Sequence, residues 1–375
     1  LALLGIVLVN APYLGISSEG YTSASLAGAP NTVAAFLVIV LAQGKFYLLF
    51  SFLFGYSATL ILKRGEAPDR RRFRRRLGVL AVLGALHAVL FFIGDILVIY
   101  AILGVGLLVI SRRSNAFVRG CALVALGGAA VVGVSIALLA LLEPSGFASA
   151  QDPALLSLDA ALAGGTFWEA AAARLTVWPA VALALFILQG PMAFAAFCVG
   201  LLAGRSQLLA DPSARASLWP RLAIVGIGVG LPLQVIAGLA EMRGLTEADF
   251  SQAAVGVFLG FLTAPVLAAG YVGLLALVLI TWPGVGRIAD APGRMSLTVY
   301  ISESIVLSML FSGYGLGFFG AWGAAGVTIA AFLTWLALAT GSWLWLRRFR
   351  QGPLEFIVGK VTRPPSSVVE TARPS

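Results

Sequence analysis

From Leu222 to Ala240 the chain carries no charged residue, and the same holds from Ala324 to Leu346. Runs of this kind reach the roughly 20 residues that a helix needs to cross the hydrocarbon core of a bilayer. With 60% hydrophobic and 11% charged residues, against roughly 45–50% and about 25% in soluble domains, no water-soluble core could hide so much apolar surface. The solvent for most of this chain is therefore lipid.

Apolar runs between breakers place transmembrane helices near 1–16, 45–62, 77–93, 96–111, 117–142, 176–204, 221–240, 253–282, 296–312 and 322–346. The expected fold is all-α, a polytopic membrane bundle of about ten helices forming one domain over 1–352. A partly disordered cytoplasmic tail follows from 353 to 375, rich in proline and serine near its end. Thr32 to Ala42 is apolar too, but a further crossing there would break the alternation of loops, so it is expected at the outer interface. The chain opens at Leu1 already inside an apolar run, as in a helix begun upstream; a signal peptide is the competing reading.

Orientation follows from the basic residues. With the amino end inside, only Lys45, Arg174 and Arg243 of the 25 Lys and Arg fall on the outer side. The positive-inside rule then puts both termini in the cytoplasm, and the formal charge of +9 reflects topology, not nucleic-acid binding. Outer loops are acidic, with Glu143, Asp152, Asp159, Glu169, Glu241, Glu247 and Asp249. The longest, about Glu143 to Leu175, is either a lid across the membrane surface or a plain connector. Cys121 and Cys198 both lie in apolar runs and read as buried structural thiols.

An ionisable group in a span costs a few kcal/mol, about 2.5–3.5 on insertion scales, and asks for a partner or a task. His87 is the single histidine of the chain, and its titration range suits proton transfer. Asp95 follows eight residues later, at a tight hairpin with Gly94. The two read either as a base with its orienting carboxylate, or as an interhelical bond beside an N-cap. Glu303, in Tyr300-Ile301-Ser302-Glu303-Ser304, either faces a cavity or pairs with a cation. Asn10 suits an oxyanion contact or helix adhesion. Six arginines, Arg70, Arg71, Arg72, Arg74, Arg75 and Arg76, fill all but one position of a seven-residue stretch. They fit a phosphate-bearing ligand such as a nucleotide, coenzyme A or an anionic headgroup; topogenic anchoring explains them as well. Glycine pairs such as Gly200 with Gly204, or Gly226 with Gly230, read as close helix packing. No phosphate loop, metal spacing or nucleophile elbow stands in a credible context.

Five segments, LALLGIVLVN at 1–10, KFYLLFSFLFGYSATLIL from Lys45, ALHAVLFFIGDILVIYAILG from Ala85, GRMSLTVYISES from Gly293 and RRFRQGPLEFIVGKVT from Arg347, together resemble the YeiB family. Those are bacterial membrane proteins whose C-terminal half, from about residue 205 here, is domain of unknown function 418. The resemblance implies an inner-membrane location and a relationship to membrane acyltransferases, the heparan-alpha-glucosaminide N-acetyltransferase family and more loosely the acyltransferase-3 family. Such enzymes move an acyl group from a cytoplasmic thioester to an acceptor at the far face. Asn10 matches a functional asparagine of the N-acetyltransferases, whereas their histidine after the first span has no counterpart here. The implied reading is a transferase with His87 as base, Asp95 orienting it, and Asn10 with Lys45 stabilising the oxyanion. In this reading the arginine cluster binds acyl-CoA or acetyl-CoA as co-substrate, with Arg294 and Glu303 lining the donor path. No tightly bound cofactor or metal is expected. Partners would be membrane lipids and a glycan, lipid or small-metabolite acceptor; a homo-oligomer is compatible. A transporter or exporter, and a membrane scaffold, are the alternatives.

Overall fold

The computed structural model describes residues 2–62, 66–142 and 152–362. Lys63, Arg64, Glu143 and the chain from 363 onward, which is the end of the expected tail, lie outside the described residues. Within them the regular structure is helical: α1 (Ala2–Gly15), α2 (Ala29–Leu41), α3 (Phe46–Ile61), α4 (Ala67–Leu90), α5 (Leu97–Ile110), α6 (Asn115–Leu142), α7 (Pro153–Gly164), α8 (Phe167–Leu188), α9 (Gly190–Arg205), α10 (Leu218–Glu247), α11 (Phe250–Thr281), α12 (Pro283–Arg294), α13 (Ser296–Phe311), α14 (Ala324–Arg348) and α15 (Pro353–Thr362). Six helical runs are long and apolar enough to cross a bilayer: Ala29–Ile61, α6, α8, α10, α11 from Ser251, and α14. Large apolar side chains such as Leu123, Val124, Leu142 and Ile224 point outward, as lipid-facing helices require. The molecule is an all-α polytopic membrane bundle.

Three regions depart from the expected layout: residues 29–61, the run 176–204 and the start of the C-terminal tail. The stretch expected at the interface is α2, which packs against α10 and α14 and continues after a break into α3. Gly44, at φ +80°, turns the chain there. The break is paired internally. The amides of Ala42 and Gln43 both donate to the Val38 carbonyl. The Lys45 ammonium donates to the carbonyl of Ile39 at 2.9 Å, and the Tyr271 hydroxyl to that of Leu41 at 2.9 Å. A break inside lipid survives only when its freed carbonyls find such partners.

The run 176–204 is two helices, α8 and α9, divided at Gln189. Pro191 can neither donate to nor fit against the turn before it, so helix geometry restarts at Gly190. α9 then lies along α3 at backbone contact. A Cβ on Gly55 would fall 2.1 Å from the Phe197 carbonyl oxygen, and one on Gly200 2.0 Å from that of Phe52.

The long acidic loop carries α7 and the start of α8, each with a built N-terminus. Asp152 accepts from the Ala154 amide, and Thr166 with Glu169 forms a capping box. Leu158, Leu162, Ala170 and Val177 form one apolar cluster with Ile93, at the tip of the α4–α5 hairpin. Asp159 fastens α7 to the loop after α1 by accepting from the Ser17 hydroxyl (3.0 Å) and the Ser18 amide (2.8 Å). At the opposite, arginine-bearing end, α15 forms where a tail was expected. Glu355 accepts from the amides of Leu297 (2.8 Å) and Thr298 (3.1 Å) and from the Thr298 hydroxyl (2.6 Å), capping α13 from a distance.

Candidate functional site

His87 lies in the last turn of α4 and Asp95 in the link to α5, and both are buried. Imidazole Nδ1 and Asp95 Oδ1 are 2.8 Å apart. The other carboxylate oxygen, Oδ2, accepts from the amides of Leu97 (2.8 Å) and Val98 (3.2 Å), capping α5. The base-and-carboxylate geometry and the N-cap, alternatives in the sequence, are thus both present in one side chain. Gly84 makes room for it: a Cβ there would meet Asp95 Oδ2 at 2.6 Å and the Val98 amide at 2.8 Å.

Tyr300 closes the opposite side. Its ring centroid is 5.2 Å from that of His87, and its hydroxyl approaches Asp95 Oδ1 at 3.4 Å. A neutral imidazole that donates from Nδ1 to the carboxylate has its lone pair on Nε2. That Nε2 is buried and has no hydrogen-bond partner among the described residues. The same is true of Oε1 of the buried Glu303, one turn beyond Tyr300 on α13.

A cavity of about 260 Å³ opens at the arginine-bearing end. Arg72 and Arg76 line it together with Glu355 of α15, and it extends past Phe54 to Leu80, Leu97 and Tyr100. Leu97 is the residue whose amide binds Asp95, and Leu80 lies about two turns of α4 below His87. The arginine cluster is divided by helical spacing. Arg72 and Arg76 share the cavity face, Arg72 being exposed like Arg71 and Arg74, and Arg70 donates to the Leu108 carbonyl at 3.3 Å. Arg76 also lies over the Phe54 ring, 5.3 Å from its centroid.

The remaining candidates lie elsewhere. Lys45 caps the end of α2, near Gln43, whose amide donates to both oxygens of Glu241 at 2.9 and 3.0 Å. Asn10 is half-buried on α1 between Val7 and Ala11, which join Phe92 and Leu307 in one apolar cluster. Arg294 is half-exposed, near Asp290 at 3.5 Å and donating to the Arg350 carbonyl at 2.9 Å, so it does not meet the buried Glu303. Gly84 and Tyr300 were not singled out as site residues. Their signal, a glycine three before the histidine and a tyrosine three before the glutamate, has meaning only once α4, α5 and α13 are assembled.

Residues 203–364 match the family described as Protein of unknown function (DUF418). The chain is 30% identical over 382 residues to the "Uncharacterized protein YeiB" of Escherichia coli (strain K12), covering 96% of this chain and 93% of that protein. It is 29% identical over 346 residues to the "Uncharacterized protein YxaH" of Bacillus subtilis (strain 168), covering 86% and 80%. No solved structure matches it. With nearly all of both chains aligned, this polytopic helical protein belongs to the YeiB family and carries the DUF418 region in its C-terminal half.

Proposed function

We propose that the protein is a membrane-embedded acyltransferase, taking an acyl group from a cytoplasmic acyl-CoA-type thioester and delivering it to an acceptor from the far side of the membrane. The observation that carries this reading is the cavity lined by Arg72 and Arg76 and by Leu97, the residue whose amide donates to Asp95. In a cytoplasmic orientation its two guanidinium groups meet the phosphates of the donor. Its apolar walls beyond them suit the extended arm of the thioester, not a solvated headgroup. The acceptor hydroxyl or amine approaches His87 Nε2, which takes its proton as the acceptor atom attacks the thioester carbonyl. The C–S bond then breaks, and the proton passes from the imidazolium to the departing thiolate. Asp95 holds the tautomer and balances the imidazolium. Asn10 remains the candidate donor to the oxyanion, while Lys45 belongs to the α2 break.

Binding of acetyl-CoA to the purified chain in lipid nanodiscs tests the donor half. The combined Arg72→Gln and Arg76→Gln variant should weaken it about ten- to hundredfold, the loss of charge-assisted hydrogen bonds. Equal affinity in the variant, or no binding in the wild type, would remove the donor path. One observation favours transport instead. The broken helix at Gln43–Lys45, facing buried Glu241, resembles the discontinuous helices on which transporters build ion sites. Proton-coupled uptake into vesicles, lost in Glu241→Gln, would support that reading.

A further inference from the structure

Arg174, in the second turn of α8, is among the largest fully buried side chains of the molecule. Its guanidinium donates to the Leu90 carbonyl (2.9 Å), the Tyr314 hydroxyl (3.0 Å) and the Ser308 hydroxyl (3.4 Å), and the two hydroxyls are themselves hydrogen-bonded to each other. Every one of these partners is neutral. Among the described residues no carboxylate is recorded within 4.0 Å of it. Asp159, the acid under the same helices, is held by Ser17 and Ser18.

A buried cation without a counter-charge is the costly half of an ion pair, and capping one carbonyl at the end of α4 does not call for five donors and a charge. The guanidinium also borders a small pocket under α7 and α8, with Tyr13, Ser18, Phe91 and Phe92 in its walls. That pocket has room for about one water, roughly 10 Å³. Phe92 in its wall packs against the His87 ring, with centroids 6.3 Å apart. One wall residue, Phe92, thus separates the pocket from the His87 ring.

We propose that Arg174 is an anion-recognition residue beneath an α7–α8 lid, and that the ligand admitted there carries a carboxylate or phosphate group. The bidentate fork of arginine matches either oxyanion, and the Tyr314 and Ser308 hydroxyls supply further donors. The Asp159 contacts to Ser17 and Ser18 are the fastening that releases to let it in. That this ligand is the acyl acceptor rests on the transferase reading; the anion site itself does not.

The test therefore uses no acyl-CoA. Thermal unfolding of the purified full chain is followed at constant ionic strength against inorganic phosphate, glycerol 3-phosphate, acetate and succinate, with glycerol as the neutral control. At least one oxyanion should raise the Tm saturably while glycerol does not; a response only to the phosphates or only to the carboxylates identifies the group. Arg174→Gln should weaken that anion about ten- to hundredfold, and Arg174→Lys, which keeps the charge but loses the fork, should weaken it as well. The Arg72→Gln, Arg76→Gln variant should keep the part of the response that Arg174→Gln removes; a phosphate response that it loses alone belongs to the donor cavity. The proposal is overturned if no anion gives a saturable rise, if Arg174→Gln and Arg174→Lys respond as wild type does, or if the response vanishes with Arg72 and Arg76 instead. If Arg174→Gln fails to fold, Arg174→Lys decides alone.

Discussion

Asp95 divides its two oxygens between two tasks, one on the His87 imidazole and one on the first amides of α5. Substitutions separate them. Asparagine caps a helix about as well as aspartate, so Asp95→Asn should stay folded while losing the charge that balances an imidazolium, with turnover down by about 10²–10⁴. Asp95→Ala should lose the cap as well, about 1 kcal/mol of stability. Identical melting temperatures for the two variants would contradict the division. A second carboxylate gives a pH signature. Asp249, in the α10–α11 turn, is held below its usual range because it accepts from the Ser251 hydroxyl and from the Gln252 and Ser251 amides. A depressed carboxylate stabilises the fold above its unfolded value, and the contribution is lost as the pH falls through the folded one. The Tm gap between wild type and Asp249→Ala should thus be full at pH 7 and close as the pH drops below about 4. A gap that stays constant would rule out the cap as its source.

Helices with uninterrupted apolar runs, such as α10 and α14, were legible in the sequence because length and polarity alone decide what crosses a bilayer. Breaks within runs were not. Pro12, Pro179, Pro232 and Pro265 all lie inside continuous helices, while Pro191 follows a break, so proline by itself marks neither outcome. The α2–α3 break depends on Tyr271, more than two hundred residues away, to pair the Leu41 carbonyl. α15 was hidden for the same reason, since Glu355 finds its partners on α13 only in three dimensions. The α3–α9 contact gives a direct test. Gly200→Ala forces a Cβ against the Phe52 carbonyl and should cost about 1–3 kcal/mol, whereas Gly128→Ala on α6, with nothing within 4 Å, should be tolerated. Equal melting temperatures for both variants would mean that the two helices do not touch there.

At the scale of the whole molecule, the arginine-bearing cavity and the pocket beneath α7 and α8 each end one residue short of the His87–Asp95 pair, the first at Leu97, whose amide binds Asp95, and the second at Phe92, which packs on the His87 ring. The residue types of the pair were legible early, because a lone histidine and an aspartate in apolar surroundings stand out. Their supports were not, as Gly84 and Tyr300 are ordinary residues in a helix until packing brings them to the pair. In a cysteine-free background, the positive-inside reading predicts that Ser157→Cys on α7 is labelled by an impermeant maleimide in intact cells. Ser114→Cys, between α5 and α6, should be labelled only after lysis; the reverse pattern would invert the molecule. The central claim is most directly tested by single-turnover release of CoA from radiolabelled acetyl-CoA, comparing wild type with His87→Gln. Wild type should release thiol, and His87→Gln should bind the donor equally while releasing it about 10²–10⁴ times more slowly. An unchanged rate in His87→Gln, or no release by wild type with any acceptor tried, would contradict the account.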